Sequence, residues 1–214
     1  AMKKAVELVK KNLLWSGLFD IKDVFEKHDL VLKLRFLPQR EIRVWIYSTD
    51  ESLLFDYRRP VASDEDIQPA TIRMVEEIIF QLTGERSILR TAIAYVEKDQ
   101  KGRYRIILTD AFGEKRAVLI DDNRYNILPR WKPDASAIVF TTLGQQGSHL
   151  REYDFKSKQI KVLFKTLKKL SGGSWSYTGN HLAITKSING NSDLFKINLN
   201  GDVIEQVDRD TKRL

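Results

Sequence analysis

Trp131-Lys132-Pro133-Asp134 and Trp175-Ser176-Tyr177-Thr178 stand 44 residues apart, and their neighbours keep the same step. Ala137-Ile138-Val139-Phe140 meets His181-Leu182-Ala183-Ile184 without a gap. Leu150 then meets Leu194, Asp154 meets Asn198, Ser157 meets Gly201, and Ile160 and Leu163 meet Ile204 and Val207. An earlier, partial copy starts at Ala92-Ile93-Ala94-Tyr95, which corresponds to the second strand of a unit, and continues through Asp110 and Val118-Leu119 with one gap. A period near 40–45 residues, filled with short strands and polar turns, is that of a β-propeller blade. Repetition has a physical cause. One four-stranded sheet cannot cover both of its apolar faces, so it leans on a neighbour. Trp131 and Trp175 read as packing anchors between blades rather than as ligand-stacking rings.

The residues before the repeat have a different texture. Met2, Val6, Val9 and Leu13 fall at helical steps and predict an amphipathic helix over residues 3–15, stopped by Gly17. Leu30 to Phe36 reads as a strand with Lys33 and Arg35 on one side. Ile42, Val44 and Ile46 alternate with Arg43, Trp45 and Tyr47 in a second, and Leu53 to Tyr57 makes a third. Ser63-Asp64-Glu65-Asp66 suits the positive end of a helix dipole. A helix should follow from about Pro69, with Ile72, Val75, Ile79 and Leu82 as its stripe and Gly84 as its cap. The expected fold class is therefore an α+β N-terminal domain, helices on a small sheet, over residues 1–90. An all-β partial propeller of about three four-stranded blades follows over 91–214.

Composition narrows function. Apolar residues are 42% and charged residues 30% of 214, enough for a folded core. Cysteine is absent, which removes disulfides, thiolate metal sites and thiol nucleophiles. No apolar run approaches the roughly 18–20 residues of a membrane span. The start has the basic flank of a signal peptide, but Glu7, Lys10 and Lys11 interrupt its apolar part. The net charge of +7 is uneven: residues 1–90 carry 15 basic and 15 acidic side chains, residues 91–214 carry 21 and 14. Lys156, Lys158, Lys161, Lys165, Lys168 and Lys169 form a run without an acid. Such a run could meet an acidic partner or nucleic acid, but it reads first as a solvated face. Only Phe164 is interleaved with it, so nucleic acid is not the expected partner.

No catalytic constellation emerges. His28, His149 and His181 lack metal-ligand spacing. Gly172-Gly173-Ser174-Trp175-Ser176 superficially resembles a nucleophile elbow, yet strands rather than a helix follow it. Asp121-Asp122-Asn123 and Asn189-Gly190-Asn191-Ser192-Asp193 have oxygen ligands for calcium but read better as turns. No cofactor, no metal and no enzyme activity are expected. Recognition by loops remains. One set links consecutive blades, and its candidate partner-binding residues are Asn123, Arg124 and Tyr125 with Thr166, Leu167, Lys168 and Lys169. The other lies within blades, at Gly144-Gln145-Gln146-Gly147 and Asn189-Gly190-Asn191. The sequence leaves open which set faces a partner.

Phe80-Gln81-Leu82-Thr83-Gly84-Glu85-Arg86-Ser87-Ile88-Leu89-Arg90-Thr91-Ala92-Ile93-Ala94-Tyr95-Val96 resembles the domain junction of the TolB family, a helix ending in Leu-Thr-Gly and then Arg-Thr-x-Ile-Ala-Tyr-Val. Leu108-Thr109-Asp110-Ala111-Phe112-Gly113 is similar to the family's Ser-Asp-x-Asp-Gly turn, with Phe112 in place of the second acid. Arg130-Trp131-Lys132-Pro133-Asp134 resembles its Trp-Ser-Pro-Asp-Gly, and Leu8 through Phe19 looks like its first helix. The resemblance implies a periplasmic, non-catalytic scaffold of the Tol–Pal cell-envelope system that binds the peptidoglycan-associated lipoprotein Pal and TolA. The segment that the family offers to TolA has no counterpart here, which leaves TolA a doubtful partner. The first domain is also shorter between Phe19 and Leu30. About three blades of the family's six are present, and residues 92–120 lack an inner strand of their own. Two chains would complete a ring as a twofold homodimer with Thr211–Leu214 near the seam; the alternative is an open half-ring. Competing readings are the propeller portion of a serine peptidase and a basic nucleic-acid-binding module.

Overall fold

Ile42, Val44 and Ile46 are fully buried, and the polar residues between them are not. In the computed structural model, which describes residues 2–22, 27–63, 66–188 and 190–207, they form the middle strand of an antiparallel sheet. That sheet comprises β1 (Leu30–Leu37), β2 (Glu41–Ser48) and β3 (Leu53–Pro60), in the order β1-β2-β3. Helices α1 (Met2–Trp15) and α2 (Ile67–Thr83) join its apolar face in one core. The buried face of α1 is Ala5, Val9, Asn12 and Leu13, while Met2 is 38% exposed. The stripe is thus rotated from the expected one: it keeps Val9 and Leu13 but takes Ala5 and Asn12 in place of Met2 and Val6. Helix α2 starts two residues before Pro69 and buries Ile67, Met74, Val75, Ile78 and Ile79. Each such side chain contributes about 1.5–3 kcal/mol. Pro69 sits in its first turn, where no N–H partner is lost. Gly84 ends it at φ 74°, its N–H donating to the Phe80 carbonyl at 2.8 Å. Asp64 and Glu65 lie outside the described residues.

The chain divides into two compact units, Ala1–Thr91 with Asp110–Phe112, and Ala92–Thr109 with Gly113–Leu214. The second unit is all strand among its described residues. Its first blade has three strands, β4 (Ala92–Lys98), β5 (Tyr104–Asp110) and β6 (Arg116–Ile120). The second has four, β7 (Tyr125–Trp131), β8 (Ala137–Gly144), β9 (Gly147–Asp154) and β10 (Ile160–Thr166), and one parallel bridge, Tyr104 to Tyr125, joins β5 to β7 so that the two blades form a single seven-stranded sheet. The third also has four, β11 (Leu170–Trp175), β12 (His181–Ile188), β13 (Asn191–Asn198) and β14 (Val203–Gln206). The architecture is that of a partial propeller with open sheets. The inner strand missing from residues 92–120 is the position that β7 and β11 fill in their own blades. Thr211–Leu214, expected at a homodimer seam, lie outside the described residues.

Two apolar seams hold the blades together. Ile106 and Ile120 of the first blade meet Ile138 and Phe140 of the second, with Trp131 against them. Val139, Leu150 and Leu163 of the second meet Leu170, Leu182, Ile184, Phe195 and Ile197 of the third, with Trp175 against them. The two tryptophans therefore hold corresponding places. The middle blade is covered on both sides, which explains why β8 is buried from Ala137 through Thr142 instead of alternating. The 44-residue step reaches the backbone too. Leu128 and Gly172 both have positive φ (55° and 66°) at a bulge in the inner strand, as do Ala135 and Gly179 (57° and 70°) in the following turn.

Candidate functional site

Strand direction decides which loops share an end of the blades. In the second blade Tyr125 pairs with Leu143, Leu143 with Ser148 and Ser148 with Thr166. The first residue of the inner strand, the turn between β8 and β9 and the last residue of the outer strand thus lie level. Both loop sets seen in the sequence, 121–125 with 166–169 and 144–147, occupy one rim. The opposite rim carries the Pro133-Asp134 turn and the 155–159 turn.

The inter-blade loops are held by buried polar contacts. Arg151, 8% exposed on β9, donates from Nη1 to Asp122 Oδ2 at 2.6 Å and to Thr142 Oγ1 at 3.3 Å. Thr142 Oγ1 donates to Asn126 Oδ1 at 2.8 Å, and Asn126 Nδ2 donates to Asp122 Oδ1 at 2.7 Å. The four side chains close a ring around the loop before β7. Burial opposes the charge on Asp122, but the hydrogen bonds from Arg151 and Asn126 outweigh it and hold the carboxyl below its usual range. Asn123 takes φ 59°, a left-handed conformation that asparagine tolerates. The loop before β11 is fixed differently. Leu170 N donates to the buried Ser148 Oγ at 3.4 Å, and Lys168 N to Thr166 Oγ1 at 3.1 Å. Gly147, at φ 114°, lies so close that a Cβ there would collide with the Thr166 carbonyl oxygen.

On this frame the predicted residues stand outward. Asn123, Arg124, Leu167, Lys168 and Lys169 are exposed and Thr166 is half-buried. Tyr125 is 56% exposed with its ring tilted against Tyr104 at 5.2 Å, so it is oriented yet open. Leu167 is 87% exposed, a large apolar side chain with almost nothing over it. His149 pairs with Lys165 across β9 and β10; burial first, then the charges of Lys165, Arg124 and Arg151, lower its pKa. Arg124, Lys168 and Lys169 thus stand exposed on the same rim as Tyr125 and Leu167. The sequence did not point to Arg151, Thr142 or Asn126, and each is indistinguishable locally from an ordinary strand residue.

The residues weighed for chemistry are placed apart. Gly172, Gly173 and Ser174 lie in β11 and line a cavity of about 250 Å³ with Leu128, Arg130 and Leu194; no histidine lines it. Asp121 faces Arg103 at 3.4 Å and Arg105 at 3.8 Å, and Asp122 faces Arg151, so these carboxylates are engaged with guanidinium groups. Asn189 lies outside the described residues. Among the described residues no three or more His, Asp or Glu are grouped to hold a metal ion, and no helix is long and apolar enough to cross a membrane.

Comparison with known proteins agrees with this architecture. The Tol-Pal system protein TolB of Anaeromyxobacter dehalogenans (strain 2CP-C) is 26% identical over 136 residues, covering 64% of this chain and 31% of that protein. That of Ruthia magnifica subsp. Calyptogena magnifica is 24% identical over 140 residues, 63% of this chain and 33% of that protein. The match thus spans about a third of the length of these curated relatives. The crystal structure of TolB from Acinetobacter baumannii shares the fold, with a TM-score of 0.78 at 20% identity over 96% of this chain and 57% of that one. The family model of the TolB beta propeller domain matches residues 80–212, and the chain belongs to that family.

Proposed function

We propose that the chain acts as a non-catalytic, protein-binding scaffold of the Tol–Pal type in the periplasm, and that a Pal-like lipoprotein docks on the rim carrying Tyr125 and Leu167. The reading is supported above all by one observation: two inter-blade loops and a within-blade turn converge on a single preorganised rim, and the side chains that project from it are binding rather than catalytic types. Preorganisation matters because ordering each side chain on association costs about 0.5–1.5 kcal/mol. The ring of Asp122, Asn126, Thr142 and Arg151 holds the first loop in place before any partner arrives. Tyrosine and arginine, the residues of Arg124-Tyr125, are each enriched among hot spots.

The test is calorimetric titration of the chain with the soluble peptidoglycan-binding domain of Pal from the same source. A one-to-one complex is expected. Tyr125→Ala combined with Leu167→Ala should weaken it at least about tenfold, with the circular dichroism spectrum unchanged. A folded chain that gives no heat with the Pal domain defeats the reading.

A further inference from the structure

The sheet of the first unit has a second face, which its helices do not cover. Register places Arg35 beside Arg43 and Arg43 beside Arg58, so three arginines stand in one row across β1, β2 and β3. Neighbouring strands are about 4.8 Å apart. Like charges directly opposite one another destabilise a sheet. Arg43 is compensated: its Nε donates to Asp56 Oδ1 at 2.7 Å and its Nη2 to Oδ2. Arg35 and Arg58 are exposed, and neither makes an ion pair among the described residues. The next row is Lys33, Trp45 and Asp56. Here the rings hold the cations: the Arg43 guanidinium lies 4.5 Å from the centre of Trp45, and Lys33 Nζ 4.7 Å from that of Tyr47.

We infer that this face is a docking site for an acidic polypeptide segment of a partner protein, whose carboxylates are received by Arg35 and Arg58 as Asp56 is received by Arg43. The planar fork of arginine matches a carboxylate in two parallel hydrogen bonds. The alternatives fit less well. Single-stranded nucleic acid needs open aromatic faces for stacking, and here cations occupy them. Attraction to an anionic membrane takes clusters of about four to eight uncompensated Lys/Arg. This face sets Lys33, Arg35, Arg43 and Arg58 against Glu41 and Asp56. All of its residues belong to the first unit.

The probe is a fluorescent peptide of alternating glutamate and serine, roughly ten residues long, which presents its carboxylates on one face when extended. Binding to the whole chain is followed by anisotropy at low salt. Binding is expected, weakening with added NaCl and dropping about tenfold or more in R35Q/R58Q. K156Q/K158Q, in the other unit, should bind as the parent does. R35Q should also raise the urea midpoint, since it relieves a like-charge pair. Absence of binding overturns the proposal, as does binding that survives R35Q/R58Q or a lowered midpoint in R35Q. Tighter binding of oligo-dT or of phosphatidylglycerol vesicles through the same arginines overturns the polypeptide as occupant.

Discussion

Leu150 and Gly173 meet across the seam between the second and third blades. Leu150 is fully buried on β9, and a Cβ added to Gly173 on β11 would lie 3.0 and 3.2 Å from its two methyl carbons. That is inside normal carbon–carbon contact, near 3.5–4.0 Å. Gly173→Ala should therefore cost about 1–3 kcal/mol by overpacking, offset by about 0.4–1 kcal/mol from the stiffer unfolded chain. Leu150→Ala should cost about 3–5 kcal/mol through lost transfer energy and the cavity left behind. Together the two changes relieve each other. In the Leu150→Ala background the added methyl has room, so Gly173→Ala turns neutral or stabilising there. The cycle should show a favourable coupling of about 1–3 kcal/mol, measured by urea unfolding with circular dichroism. Hydrogen exchange should show both β9 and β11 losing protection in either single variant. Costs that add to within about 0.5 kcal/mol would show that the residues do not touch, and the seam as described would be wrong.

Ala135→Gly should stabilise the chain by about 0.5–1 kcal/mol, because Ala135 is exposed at φ 57° where Gly179 serves in the next blade. Thermal unfolding reads this as a raised midpoint. Asp122→Ala should cost about 2 kcal/mol and quicken amide exchange at residues 121–126, since it leaves Arg151 and Asn126 without their shared acceptor. Because folding holds the Asp122 carboxyl below its usual range, its contribution is present above that range and lost as pH falls through the depressed value. Asp122→Asn should flatten the acid limb of a stability-versus-pH curve. His149 is also shifted down, so the unfolded chain takes up a proton that the folded chain refuses. Stability should then decline as pH drops through the ordinary histidine range near about 6.5. His149→Gln should remove that slope in urea midpoints taken between neutral and mildly acid pH.

Much of the fold was legible because its signals are local or periodic. Trp131 and Trp175, and the residues at their common step, mark corresponding seams. Gly84 and the alternation from Ile42 to Tyr47 behave as their types require. Helix α1 shows where this stops: hydrophobicity favours Met2 and Val6, but the buried face takes Ala5 and Asn12 instead. The candidate site was half legible. Asn123, Arg124, Tyr125 and Leu167 could be named as loop residues of binding type. That both loop sets share one rim follows only from strand direction and register. Asp122 with Asn126, Thr142 and Arg151 come from three separate stretches, as does the arginine row of the first sheet. Nothing in any single stretch marks them.

Hydrogen exchange of the chain, alone and saturated with the soluble Pal domain, asks whether this rim receives a partner. Protection is expected at residues 121–126 and 166–170 and at the 144–147 turn, with the Pro133-Asp134 turn unchanged. Protection confined to the opposite rim, or none at saturating partner, would contradict the account.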